Sequence, residues 1–91
     1  NSEVVVKYSL PQEGDVELVV YNMLGQVVRR LATGHQGMGH HQVVWDGRDD
    51  AGRGLATGTY LVQLRAEGWC SDASRLADLR FTQVRKVAFV K

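Results

Sequence analysis

The chain has 91 residues, 44% of them hydrophobic and 23% charged, a length that fits a single domain over residues 1–91. Its 11 Lys and Arg residues nearly balance its 10 Asp and Glu residues, so the composition shows no basic footprint for nucleic acid or an anionic membrane. The longest apolar run is too short to span a bilayer. The sequence lacks an initiator Met and a signal-like start, so we expect a piece of a larger polypeptide.

The first third of the chain shows the two-residue period of β-strands. Apolar side chains recur at alternate positions over 4–10 and again over 16–20, which predicts two strands. Pro11 cannot donate to a sheet ladder, so it marks the turn between them. The loop that ends at Gly25 predicts a hairpin into a third strand, Val27–Leu31.

The rest of the chain alternates in the same way between glycine-rich segments. Thr33–Gly39 and Asp46–Ala56 are rich in glycine and polar residues, so we interpret both as loops. Between them, His41, Val43 and Trp45 share one face of a fourth strand. A long strand over 58–66 and a last strand over 82–90 follow.

Residues 69–80 permit two interpretations, a helical turn that begins at Ser71 or Asp72 and a long hairpin. With either one, the spacing of the strands predicts an all-β fold, an antiparallel β-sandwich of about seven strands in two sheets. Alternate residues of the strands would form a single core between the sheets. The side chains predicted for this core are Val16, Leu18, Val20, Val43, Trp45, Tyr60, Val62 and Leu64.

Three acidic residues after Trp45 raise the question of a calcium site. Asp46, Asp49 and Asp50 lack the alternating spacing of a calcium loop and the closing Glu that such a loop needs. We therefore expect Asp46 to accept hydrogen bonds from the backbone of its own turn. Arg48 and Asp49 are expected to lie in solvent.

The histidines do not have the pattern of a zinc site. Zinc needs three or four converging ligands, and His40 and His41 are neighbours on a predicted strand, so their side chains point to opposite faces. His35 lies in the predicted loop before them. We expect neither a metal nor another cofactor.

No set of residues suggests catalysis. Cys70 is the only cysteine, which excludes an internal disulfide, and no base, orienting group or oxyanion site accompanies it in the sequence. We therefore expect the chain not to be an enzyme.

Aromatic residues allow a different binding function. Trp69 and Tyr21 are candidates for a platform that stacks on sugar rings, as in a carbohydrate-binding module attached to a glycoside hydrolase, with polysaccharide as its partner. Trp45 shares a face with Val43 at the end of a strand, which favours a core anchor over an exposed platform.

An ordered series of short motifs runs along almost the whole chain. Its members are Tyr8–Pro11, Gly14–Leu18, Val20–Val28, Leu31, Gly39–His41, Val44–Asp49, Gly52, Ala56–Tyr60 and Arg85–Val87. The series resembles the Ig-like domain of flagellar hook-capping proteins and, equally, the C-terminal sorting domains of proteins exported by the type IX secretion system. The chain departs from the family pattern between Gly68 and Thr82, where it is longer than the pattern and carries an insertion relative to it.

The resemblance implies an Ig-like β-sandwich that is not catalytic. It implies a C-terminal module of a larger secreted bacterial protein, and that parent could be a secreted hydrolase. The module would act in secretion or sorting or as a structural appendage. The partner would be the secretion machinery or the rest of the parent chain, and the destination would be the cell surface or medium, by way of the periplasm. The positions that the resemblance marks for partner recognition are Gly58, Tyr60, Lys86, Val87, Phe89 and Lys91. A terminal edge strand suits such recognition, because it carries unpaired backbone groups.

Overall fold

The computed structural model describes residues 3–68 and 80–90. The strands in these ranges are β1 (Val4–Leu10), β2 (Gly14–Tyr21), β3 (Val27–Gln36), β4 (Gly39–Trp45), β5 (Gly58–Gly68) and β6 (Arg80–Phe89). β1 and β4 form a two-stranded sheet, and the other strands form a four-stranded sheet in the order β3–β2–β5–β6. Every pairing is antiparallel. The structure thus confirms the all-β Ig-like sandwich, with six strands in the described residues in place of about seven.

The core fills the space between the sheets, because the inward residues of each strand are apolar. Leu18 of β2 lies opposite Leu64 of β5, and Val20 lies opposite Val62, so these four side chains share the inner face. Val43, predicted for the core, is only partly buried and packs against its margin. The buried residues of the core are Val6, Tyr8, Leu10, Val16, Leu18, Val20, Trp45, Tyr60, Val62, Leu64, Ala66 and Phe89.

The predicted loop Thr33–Gly39 is wrong for most of its length. β3 continues to Gln36, where it pairs with Gly14, and β4 begins at Gly39. Gly34 has a φ of +109°, a value open to glycine but unfavourable for other residues. Cross-strand hydrogen bonding therefore outweighs the weak strand propensity of this glycine-rich segment.

Two further differences lie near the end of the chain. β6 begins at Arg80 and ends at Phe89, so both of its ends lie slightly earlier in the sequence than those of the predicted strand, 82–90. The helix and hairpin alternatives concern residues that, like Trp69 and Cys70, lie outside the described residues. Within the described ranges, no helix has the length and apolar character of a membrane span.

The small sheet is too narrow to cover the whole inner face of the large one. Arg85 and Gln83 of β6 lie opposite Val62 and Leu64 of β5, so all four point to the inner face. Val62 and Leu64 are each 3% exposed, whereas Arg85 and Gln83 are exposed. The small sheet thus covers the inner face of β5 but does not cover the inner face at the middle of β6.

Candidate functional site

The residues predicted for partner recognition lie along the β5–β6 pairing. Gly58 lies opposite Phe89, and Tyr60 lies opposite Val87. Gly58 is exposed and Val87 is half-buried, whereas Tyr60 is 8% and Phe89 is 2% exposed. A partner at this edge would therefore meet the backbone of Phe89 and not its ring.

Of the predicted recognition residues that the structure describes, Lys86 is the exposed cation. It lies opposite Leu61, on the outer face of the large sheet, whereas its neighbour Arg85 points to the inner face. Lys91 lies outside the described residues. The recognition role of all six positions stays a prediction.

An aromatic cluster fixes the ends of three strands to each other. The Trp45 ring makes an edge contact with the Tyr60 ring at 5.2 Å and 75°, and it lies 5.3 Å from the Phe89 ring. Trp45 Nε1 donates a hydrogen bond to the carbonyl of Arg48 at 3.0 Å, and the Tyr60 hydroxyl donates to the carbonyl of Ala56 at 2.6 Å. Trp45 has no exposed surface, so the cluster anchors β4, β5 and β6 in the core.

Asp49 holds the loop after β4 together, so its predicted place in solvent is wrong. Its Oδ1 accepts hydrogen bonds from the N–H groups of Ala51 at 3.0 Å and Arg53 at 2.9 Å. Its Oδ2 lies 3.3 Å from Arg53 Nε, and the side chain is 18% exposed. The N–H of Arg53, above all, and the charge of that residue lower the pKa of Asp49. Asp46, as predicted, accepts from its own turn, at the N–H of Arg48.

Asp50 covers part of the edge of β3. Its N–H donates to the carbonyl of Val28 at 3.0 Å, and its Oδ1 accepts from the N–H of Arg30 at 3.1 Å. Arg29 Nη1 also donates to the carbonyl of Asp49 at 3.2 Å. The acidic loop thus satisfies backbone groups of an edge strand that would otherwise be open to another chain.

The opposite side of the sandwich brings two edge strands close together. Within residues 3–68 and 80–90, β1 pairs only with β4, and β6 pairs only with β5. Arg85 Nη1 of β6 donates a hydrogen bond to the carbonyl of Lys7 in β1 at 2.8 Å. A side chain therefore bridges the two sheets at this side, where no strand pairing joins them in the described structure.

This side is basic. β1 and β6 contain no Asp or Glu, but they carry Lys7, Arg85 and Lys86. The ion pairs between described residues involve none of Lys7, Arg85 and Lys86. The acidic loop and its aspartates lie at the other side, along β3.

The histidines do not converge. His41 stacks on Tyr8 with ring centroids 5.3 Å apart, and its Nε2 lies 2.7 Å from the carbonyl of Gly37. His40, exposed, is next to it along β4 and so points to the other face. His35 lies 3.4 Å from Glu13. Among the described residues, no three His, Cys, Asp or Glu side chains are grouped to hold a metal ion.

The two aromatic candidates for sugar stacking are not brought together within the described residues. Tyr21 is half-buried, and its hydroxyl donates to Gln63 Oε1 at 3.0 Å. Trp69 lies outside the described residues, and Trp45 is in the core. The described surface therefore offers Tyr21 without a second aromatic ring from the predicted platform.

Comparison with known proteins agrees with the fold. The family model of the FlgD Ig-like domain matches residues 1–68. The crystal structure of FlgD from P. aeruginosa is similar with a TM-score of 0.69 and 24% identity, over 92% of this chain and 58% of that chain. At that identity, the likeness shows the fold alone, and this chain spans little more than half of the solved one. No curated protein matches the chain.

Proposed function

Because the chain belongs to the FlgD Ig-like domain family, we propose that it serves as a non-catalytic module of a larger exported bacterial protein. In this proposal the module lies at the C-terminus of its parent. Its function is secretion or sorting, and the β6 edge is the segment that the secretion machinery recognises. The parent protein would pass through the periplasm to the cell surface or the medium.

The observation that carries this proposal is the state of β6. Residues 82–86 are exposed along an edge strand that, among the described residues, has a neighbouring strand on one side only. At the end of the same strand, the Phe89 ring is fixed in the core against Trp45. Because the strand is anchored at one end and open along its side, it can present backbone groups to a partner without a loss of fold.

The experiment changes the edge and leaves the core intact. Deletion of 85–91 would remove Phe89 from the core, so it would confuse unfolding with loss of recognition. We choose Lys86→Glu in the full parent protein, expressed in its own bacterium, and measure the parent in the periplasm, at the surface and in the medium. We expect the variant to accumulate in the periplasm.

The matched control is Leu24→Glu, which places a carboxylate on an 84% exposed side chain in the β2–β3 turn. Export of this control should be normal, and both variants should melt at the temperature of the unmodified chain. Normal export of the Lys86→Glu protein would overturn the sorting function at this edge and favour a structural appendage of the same fold.

A further inference from the structure

We infer that the open edge of β1 is a binding site for an added β-strand, and that this strand is an extended, acidic peptide segment of another protein. The added strand would pair with β1 and lie over the uncovered inner face of β6. The inference rests on the proposed function, because it names the chemistry of the partner.

The backbone of β1 provides the hydrogen-bonding edge. In an antiparallel pair, the N–H and C=O of a residue point to the same side, and this side alternates along the strand. The Lys7 carbonyl accepts from Arg85 of β6, so it points away from β4. Because β1 and β4 pair without a register shift, the outward groups of the edge belong to Val5, Lys7 and Ser9.

No described residue covers the inner face at the middle of β6, which leaves room for one more strand beside the described part of the chain. Arg85 and Gln83 lie opposite two buried residues of β5 but are themselves exposed. A strand added to the free side of β1 would extend the small sheet by one strand spacing, about 4.8 Å, in the direction of these side chains. The small sheet would then have three strands and cover the middle of β6.

Charge selects the occupant. Lys7 points to the outer face of the small sheet, since it lies between the inward residues Val6 and Tyr8, and Arg85 lies at the inner face. An added strand would therefore have a cation near each of its faces and no Asp or Glu in either flanking strand. Carboxylates on the partner strand complement this arrangement, whereas lysines would be repelled.

Arg85 of β6 also protects the edge of β1 when no partner is bound. Its guanidinium occupies the Lys7 carbonyl, which an N–H of an added strand would otherwise use. A carboxylate of the partner can replace the Lys7 carbonyl as the hydrogen-bond acceptor of Arg85, whereas a neutral strand offers no such charged acceptor.

The test uses the 91-residue chain and three synthetic peptides in fluorescence anisotropy titrations. The first peptide alternates Val and Glu, the second has Lys at each Glu position, and the third is the acidic peptide with N-methylated backbone amides. We expect saturable binding of the acidic peptide only, because the second has the wrong charge and the third cannot donate to a strand.

Variants of the chain locate the binding site. We expect Arg85→Glu to lower the affinity of the chain for the acidic peptide by about tenfold or more. Arg65→Glu, the same charge change at a 63% exposed side chain on the outer face of β5, should have little effect. Lys7→Pro removes an outward N–H without loss of a β1–β4 hydrogen bond, so it should weaken binding more than Lys7→Gln, which keeps that N–H. Circular dichroism checks the fold of each variant.

Several results would overturn the inference: no binding of the acidic peptide, equal binding of the Lys or N-methylated peptide, or an equal loss with Arg65→Glu. The N-methylated peptide decides the backbone question even where Lys7→Pro fails to fold. The proposed function is tested separately, since Lys86→Glu reports on export in the cell. If Lys86→Glu abolishes export but the acidic peptide does not bind the chain, only the inference of an acidic added strand is refuted. If the acidic peptide binds but the Lys86→Glu protein is exported normally, only the sorting function is refuted.

Discussion

Gly47 lies directly against the ring of Phe89, although the two residues are far apart in sequence. A Cβ atom built on Gly47 would come within 2.0 Å of Phe89 Cζ and 2.2 Å of Cε1. The backbone of Gly47 also has a φ of +75°, in the region that favours glycine. The absence of a side chain at this position allows the end of β6 to close the core beside Trp45.

Gly47→Ala should lower the free energy of unfolding by about 2–4 kcal/mol, because strain at positive φ adds to overpacking against the ring. Urea unfolding followed by circular dichroism measures the change. Gly52→Ala is the matched control, since Gly52 has a φ of +83° but no atom within 4 Å of its built Cβ. The control should cost about 1 kcal/mol, the strain alone. Equal costs at the two glycines would contradict the close contact.

A double-mutant cycle tests the contact itself. Phe89→Leu removes the ring atoms nearest Gly47, so Gly47→Ala should cost less in that background than in the unmodified chain. An interaction energy of about 1 kcal/mol or more is the expected result. Strictly additive costs would show that only backbone strain acts at Gly47.

Trp45→Ala should remove about 3–5 kcal/mol of stability, the usual cost of deleting a large buried aromatic side chain. That is a large share of the total, since native proteins are stable by only about 5–15 kcal/mol. Trp45→Phe keeps a ring against Tyr60 and Phe89 but loses the Nε1 hydrogen bond to Arg48, so it should cost clearly less. Chemical denaturation compares the two, and similar midpoints would contradict the anchor role.

The sequence pattern was sufficient for the sandwich because burial in strands has a period of two. Trp45 was identifiable as an anchor, since it continues the apolar face of its strand. Arg85 was not identifiable as an inward residue. A cation in a strand indicates a solvent face, and only the pairing of Arg85 with Val62 shows that it points inward at the margin of the core.

Asp49 shows a second limit of the sequence. An aspartate in a glycine-rich loop indicates solvent exposure by composition alone. Its actual role depends on two turns, in which its carboxylate meets the N–H groups of Ala51 and Arg53. Those positions are defined by the folded loop, in which Gly52 adopts positive φ, and no periodicity records them.

The stability that Asp49 provides should depend on pH. Hydrogen bonding in the folded chain lowers its pKa below the ordinary value of 3.8, so the native state favours the carboxylate more than the unfolded chain does. The contribution is thus complete above the unfolded pKa and is lost as the pH falls through the lower, folded pKa. The melting-temperature difference between the unmodified chain and Asp49→Asn should be constant above about pH 5 and narrow below it. A difference that widens on acidification would contradict this assignment.

The 91-residue chain should not be retained on cellulose or xylan. Trp45 is enclosed in the core, and the Tyr21 hydroxyl is engaged by Gln63, so neither offers a free stacking face with its polar group available to a sugar. Sedimentation with the insoluble polysaccharide measures retention. Binding that disappears in Trp69→Ala and in Tyr21→Ala would favour the carbohydrate-binding alternative, and the Trp45→Phe variant serves as the control with an unchanged surface.

Asp50→Ala should increase self-association through the edge of β3. The substitution removes the acceptor for the N–H of Arg30, so a donor on an edge strand becomes available to a second chain. The loss of one such hydrogen bond should also cost about 1 kcal/mol in stability. Sedimentation velocity over a range of concentrations measures association, and Arg53→Ala, at an 80% exposed side chain in the same loop, is the control. Only the Asp50→Ala chain should show a sedimentation coefficient that rises with concentration. Asp50 contacts the β3 edge directly, whereas Arg53 does not. A monomeric Asp50→Ala chain at all concentrations would show that the remaining contacts of the loop are enough to protect the edge.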